Sequence, residues 1–193
     1  MPNHCHNDLW ITGPDEEVAK LLAHVGADKA KPEFDFDKII AYPELFRAMD
    51  EDFPHWTDPT ITDRKAAIAV YMAKWGTDKD GFNIGGYDWC VQNWGTKWNA
   101  YTIERRDYDG DVCVTFQTAW SPPRPVISAL HKMFPKCGLS LEYFESGGAY
   151  SGGVTYLSQG YLEEYYADER GPFTAGEAKE EWYSKNYQGK RGG

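Results

Sequence analysis

The chain has 193 residues, with thirty acidic against twenty basic side chains, a formal net charge of −10, 41% hydrophobic residues and 16% aromatic ones. That length suits one domain with an embellishment and a tail, and it is ample for a core, since about 150 residues already bury roughly 70% of their unfolded surface. No apolar run approaches the roughly 20 residues that span a bilayer, Met1-Pro2-Asn3-His4 does not begin a secretion signal, and the negative field repels nucleic acid, so a cytoplasmic location is expected.

The first predicted element is a strand over residues 7–12, with Leu9 and Ile11 on one face and Asp8 and Trp10 on the other. Pro14 opens a helix whose first turn carries Asp15, Glu16 and Glu17, complementing the positive end of its dipole. Val18, Leu21, Leu22 and Val25 share one face of it, and Gly26 supplies the stop. A long excursion follows: loop over residues 30–37, a short apolar run over 38–42 and two helical turns over 43–49. Thr62 is the expected cap of a firmer helix with Ile68, Tyr71, Met72 and Trp75 as its buried stripe, ending at Gly76. A short helix is predicted around residues 89–94.

Residues 98–108 and 111–120 are rich in strand formers and flank Asp109-Gly110, a favoured two-residue hairpin turn. Val112, Val114, Phe116 and Trp120 alternate with Cys113, Thr115 and Gln117, which predicts one buried face. Ser121 and the prolines after it start another helix, because the first N–H groups of a helix have no partner to lose. Its face is Val126, Ile127, Leu130, Met133 and Phe134, and Pro135 with Gly138 ends it. Strands over residues 139–144 and 154–158 complete the ordered part. Without the insertion, about residues 30–88, and the final strand, the order is βαββαβ. The predicted class is therefore α+β: a ferredoxin-like antiparallel sheet with helices on one face, over residues 1–167, plus the inserted helical segment and an extra C-terminal strand. Residues 168–193 read as a charged tail, with Trp182 and Tyr183 docking a short helix.

Two segments resemble a known family. Trp89-Cys90-x-x-Asn93-Trp94-Gly95-Thr96-Lys97-Trp98 and Thr118-Ala119-Trp120-Ser121-Pro122-Pro123, with Cys5-x-Asn7 at the start and Glu145-x-Gly147 and Gly152 near Tyr150, are similar to the YubB ferredoxin-like family of phage- and plasmid-borne proteins. The resemblance spans roughly residues 2–160 and departs at His4, where the family pattern has an aromatic residue. It implies the fold and a mobile-element setting in a bacterial host, with no catalytic activity attached. It marks Cys5, Asn7, Trp89, Cys90, Asn93, Gly95, Pro122 and Pro123 as a motif of structural character.

Several patterns invite chemistry and fall short of it. His4, Cys5 and His6 on a strand offer two convergent ligands, and no second Cys or His cluster completes a tetrahedral set, so no metal is predicted. Cys5, Cys90, Cys113 and Cys137 have no CxxC pair and read as buried thiols. Asp78-Lys79-Asp80-Gly81 places Gly76 and Tyr87 where a calcium loop needs acids, and Asp107, Asp109 and Asp111 surround a hairpin glycine. Ala149-Tyr150-Ser151-Gly152-Gly153 approximates a nucleophile elbow but lies between strands. Glu142, Glu145, Glu163 and Glu164, near Tyr150 and Tyr156, suggest a sugar cleft only if two carboxylates face one bond.

No catalytic residue and no cofactor are predicted. The tryptophans read either as core packing the insertion onto the sheet or as a surface anchor, with Trp94, Lys97, Trp98, Trp120 and Tyr150 as the candidate binding groove. The leading expectation is a non-enzymatic accessory protein that binds a host or defence-system protein by acidic mimicry of nucleic acid. The alternatives are a single-stranded nucleic-acid binder using the open sheet face with Lys97, Arg105, Arg106 and Arg124, and a small-molecule or nucleotide binder in the tryptophan groove.

Overall fold

The computed structural model describes residues 3–55, 57–145, 147, 150–156 and 162–167, with Tyr150 and residues 162–167 as backbone. Six strands form one antiparallel sheet: β1 (His4–Thr12), β2 (Tyr101–Asp107), β3 (Asp111–Ala119), β4 (Gly138–Glu145), β5 (Tyr150–Tyr156) and β6 (Leu162–Ala167), in the order β2-β3-β1-β4-β5-β6. With helices α1 (Asp15–Val25) and α5 (Arg124–Met133), the first four strands make the expected βαββαβ unit. Strands β5 and β6 extend the sheet beyond β4, one strand more than the sequence pattern indicated, because Leu162–Ala167 lacks apolar alternation. The tail from residue 168, with Trp182 and Tyr183, lies outside the described residues.

Strand β1 begins at His4, three residues earlier than the hydrophobic pattern suggested, since polar Asn7 continues the buried face of Cys5, Leu9 and Ile11. Opposite them in register stand Val112, Val114, Phe116 and Thr118 of β3, and Leu139, Leu141, Tyr143 and Glu145 of β4. Onto this face α1 packs Val18, Leu21, Leu22 and Val25, and α5 packs Val126, Ile127 and Leu130. Met133 is exposed rather than buried, because α5 turns out of the helix at Phe134. Gly138 does not end α5 but opens β4. The hairpin closes as expected, Tyr108 N–H donating to Asp111 O at 2.8 Å with Gly110 at φ 84°.

The insertion folds as helices α2 (Glu44–Asp52), α3 (Arg64–Trp75) and α4 (Tyr87–Asn93), the last entered through a π-type turn, Phe82–Gly86. It is anchored through Phe34 and Phe36, whose rings meet Phe116 of the sheet at 4.8 and 6.1 Å. Asn99 ties the same segment to the approach to β2, accepting from Phe36 N–H at 2.9 Å and donating to Asp35 at 2.7 Å. The cap of α3 is Asp63, accepting from Ala66 N–H at 3.1 Å, not Thr62. Of its expected stripe only Tyr71 is buried and Met72 is exposed, because α3 lies outside the sheet core and meets little apolar surface. Close packing elsewhere requires a missing side chain: a Cβ on Gly86 would stand 1.9 Å from Tyr42 Oη.

Candidate binding site at a lysine framed by aromatic rings

The tryptophan-rich run divides between core and surface. Trp94 is 5% exposed, its indole N–H donating to Ile40 O at 2.8 Å. Its ring is interlocked with Trp89 at 5.5 Å, Phe36 at 5.9 Å and Tyr42 at 5.9 Å. This cluster seals the insertion against the sheet. Burial and the Asp50 carboxylate push the Tyr42 hydroxyl well above its ordinary range, so it stays a neutral donor to Asp50 at 3.1 Å. Trp94 therefore leaves the expected groove and belongs to the core.

Beyond α4 the chain turns at Gly95, at φ 78°, where an added Cβ would meet Pro125 Cδ at 2.7 Å. Ser121 Oγ donates to Gly95 O at 2.6 Å, and Thr96 Oγ1 donates to Ala119 O at 2.9 Å. These two bonds clamp the residue 95–98 segment to the corner where β3 passes into α5. The prolines there, Pro122 and Pro123, are buried. The corner carries Lys97, whose ammonium lies 4.7 Å from the Trp98 ring, 5.3 Å from Trp120 and 5.6 Å from Tyr87. Cation–π attraction of this kind is worth about 0.5–2 kcal/mol per ring. Trp120 is 46% exposed and stands at φ 69°, a left-handed conformation that costs a bulky residue on the order of 1–3 kcal/mol. It leaves the strand's alternation there, so it does not join the buried face of β3. Thr102, at φ 52°, sits at a register shift in the neighbouring edge strand β2.

Lys97, Trp98 and Trp120 are thus brought together as the sequence suggested, while the Tyr150 side chain lies outside the described residues. Tyr87 was not singled out: it is ten residues from Lys97, and only the π-type turn before α4 brings its ring to the ammonium.

The motif residues hold the frame. Asn7, fully buried, donates through Nδ2 to Cys5 O at 2.9 Å, to Thr118 Oγ1 at 2.9 Å and to Phe116 O at 3.4 Å. Asn93 Nδ2 donates to Trp89 O at 2.9 Å. All four cysteines are free and buried. Burial, reinforced by a nearby carboxylate, pushes the Cys90 and Cys113 thiols each up to about 12.

The other patterns do not assemble. His4 and His6 face away from Cys5, as expected, and are engaged with Tyr101 Oη at 2.7 Å and Gln117 Nε2 at 3.4 Å. Among the described residues no group of three His, Cys, Asp or Glu side chains converges as metal ligands. Glu142 pairs in register with Asp8 and Glu145 with Cys5, which puts the two glutamates on opposite faces of the sheet and rules them out as a carboxylate pair. The side chains of Glu163 and Glu164 lie outside the described residues. Arg105 and Arg106 likewise point to opposite faces. Arg105 donates to Ala27 O at 2.7 Å and pairs with Asp107 at 2.8 Å, and Arg106 pairs with Glu104 at 2.8 Å. Two of the four members of the expected basic cluster are therefore paired with carboxylates and stand on opposite faces of the sheet.

Residues 97–184 match the family described as the ferredoxin-like domain in Api92-like protein. The crystal structure of protein Api92 from Yersinia pseudotuberculosis aligns at TM-score 0.51 and 13% identity, over 90% of this chain and 100% of that one.

The fold is ferredoxin-like.

In this ferredoxin-like sheet the matched span supplies β2 to β6 and α5, whereas β1 and α1 come from residues before it. None of the curated proteins matches the chain. Among the described residues no helix is long and apolar enough to cross a membrane.

Proposed function

We propose that the chain is a non-enzymatic accessory protein of a phage or plasmid that binds a host or defence-system protein, and that it does so at the corner of Lys97, Trp98 and Trp120. The mobile-element setting follows from the resemblance of the Trp89–Trp98 and Thr118–Pro123 segments to the YubB family. The binding role rests on Trp120, which is held half exposed on a strained backbone beside a second tryptophan and a cation. Tryptophan anchors of this sort carry a disproportionate share of interface energy.

Acidic mimicry is a secondary contribution in this reading. Residues 30–88 hold twelve acidic and seven basic side chains, and residues 89–160 six of each, so the segment that supplies Lys97, Trp98 and Trp120 carries no net charge of its own. Within the insertion, Asp35, Asp37, Asp50, Asp52, Asp63 and Asp80 are already occupied as acceptors for caps, turns and ion pairs. Thiol nucleophiles are disfavoured because the Cys90 and Cys113 thiols stay protonated at neutral pH.

The test is an affinity capture from nuclease-treated bacterial lysate with the native chain and Trp120→Ala side by side, at low and high salt. One stoichiometric protein, retained in salt and lost with the variant, is the expected result. Equal capture by both chains, or a bound species that nuclease removes, would reject the corner as the protein-binding surface. Release of the captured protein by salt would return the weight to acidic mimicry.

A further inference from the structure

Building on that protein-binding reading, we infer that Lys97 is the anion subsite of the corner and that it receives a carboxylate carried beside an apolar side chain on the partner protein. The cation is unusually placed for a chain with thirty carboxylates. Lys20, Lys29, Lys74, Lys136, Arg47, Arg105 and Arg106 each have an acidic partner. Lys31, Lys38, Lys65, Lys79 and Lys132 are exposed. Lys97 is half-buried, and among the described residues its ammonium has ring contacts and no acidic partner. Three rings favour a cation without supplying the hydrogen-bond acceptors that an ammonium with three donors otherwise takes from water. A carboxylate arriving on Lys97 supplies them in a partly desolvated setting, where a charge-assisted hydrogen bond is stronger than in bulk water.

The surroundings set the class of ligand. Trp98 and Trp120 flank the ammonium, so whatever carries the anion lays apolar surface against indole. The net charge of −10 penalises a polyanion more than a single carboxylate, which favours an acidic residue in an apolar segment over a polyphosphate. Both described non-glycine residues with positive φ lie toward this end of the β2–β3 pair: Trp120, whose ring flanks the lysine, and Thr102 at the register shift of β2. Backbone strain gathers at ligand clamps in this way.

The probe is N-acetyl-phenylalanine, a carboxylate beside an aromatic ring, titrated at millimolar concentration into the full chain while the indole N–H resonances are followed by NMR. N-acetyl-phenylalanine amide and adenosine monophosphate serve as the neutral and phosphate arms. The carboxylate is expected to shift the Trp98 and Trp120 signals, the amide to bind at least about tenfold more weakly, as loss of one charge-assisted hydrogen bond implies, and Lys97→Met to remove the difference. Lys97→Met retains the apolar stem, and an unchanged thermal melt shows that it folds. Equal binding of acid and amide, preferential binding of the nucleotide, or no indole shift with any probe would each overturn the inference. Failure of the probes alongside loss of the captured protein by Trp120→Ala would discard the carboxylate subsite and leave the protein-binding role standing.

Discussion

Asn7 shows how one polar side chain can organise a sheet end. Its amide nitrogen faces Cys5 O, Phe116 O and Thr118 Oγ1, all acceptors, and Thr118 Oγ1 donates onward to Ser121 O at 2.8 Å. Asn7→Asp replaces the donor with a carboxylate among acceptors. Burial there raises its folded pKa above the unfolded value of about 4, so the variant is least impaired in acid and loses stability as pH rises through that unfolded value. Urea melts at pH 3.5 and pH 7 check this: a deficit larger at pH 7 is expected, and a pH-independent one would refute the account. The cysteines make a second prediction at this scale. With Cys90 and Cys113 pushed up to about 12, iodoacetamide at pH 8 should leave both unmodified in the folded chain and alkylate them in denaturant, read by mass spectrometry. The motif positions were legible in the sequence as unusual residues. Their roles were not, since two of the three partners of Asn7, Phe116 and Thr118, lie more than a hundred residues away and no local spacing encodes them.

Among the elements, those on the sheet were the readable ones. Helix α1 declares itself because one side meets the sheet and the other meets water, giving Val18, Leu21, Leu22 and Val25 a clean spacing. Leu21→Ala, at a fully buried site, should cost about 2–5 kcal/mol in a denaturant melt. Helix α3 misleads because Met72 and Val70 are exposed, so its apolar residues do not report the buried side. Its start depends on Asp63, and Asp63→Ala should cost about 0.5–2 kcal/mol, while Thr62→Ala should cost little. The converse ordering would reassign the cap. The candidate corner was half legible: Lys97, Trp98 and Trp120 stand in unusual segments, but their meeting depends on the Gly95 turn and on the left-handed backbone at Trp120. Tyr87 joins them only through the fold of the insertion.

On the scale of the whole molecule, β1 lies between β3 and β4 and supplies the central strand that the residue 97–184 span lacks. Expressed alone, that span is expected to give no cooperative thermal transition by circular dichroism, and a sharp melt would show that the sheet closes without β1. Surface charge contributes a pH dependence. Lys20 beside Glu17, Lys74 beside Asp52 and Arg105 beside Asp107 hold these carboxyls below their ordinary values. The associated stability is present above the unfolded carboxylate range, about 4, and is lost as pH falls through the lowered folded values. A melting temperature that declines below about pH 4, with the decline reduced by Asp107→Asn, is the expected outcome. The near-surface setting of these pairs keeps each contribution small.

The central position of β1 also sets a timetable for synthesis. Its contact with β3, such as the Asp8–Thr115 hydrogen bond, closes over 107 residues, so β1 leaves the ribosome well ahead of both strands that flank it. At roughly 5–20 residues per second it waits on the order of 5–20 s for them. During that interval Leu9 and Ile11 have only α1 and the nascent insertion for cover. The helical insertion, placed between β1 and its partners, lengthens the wait, and a chaperone that shields short apolar strands would act on this chain before its sheet exists.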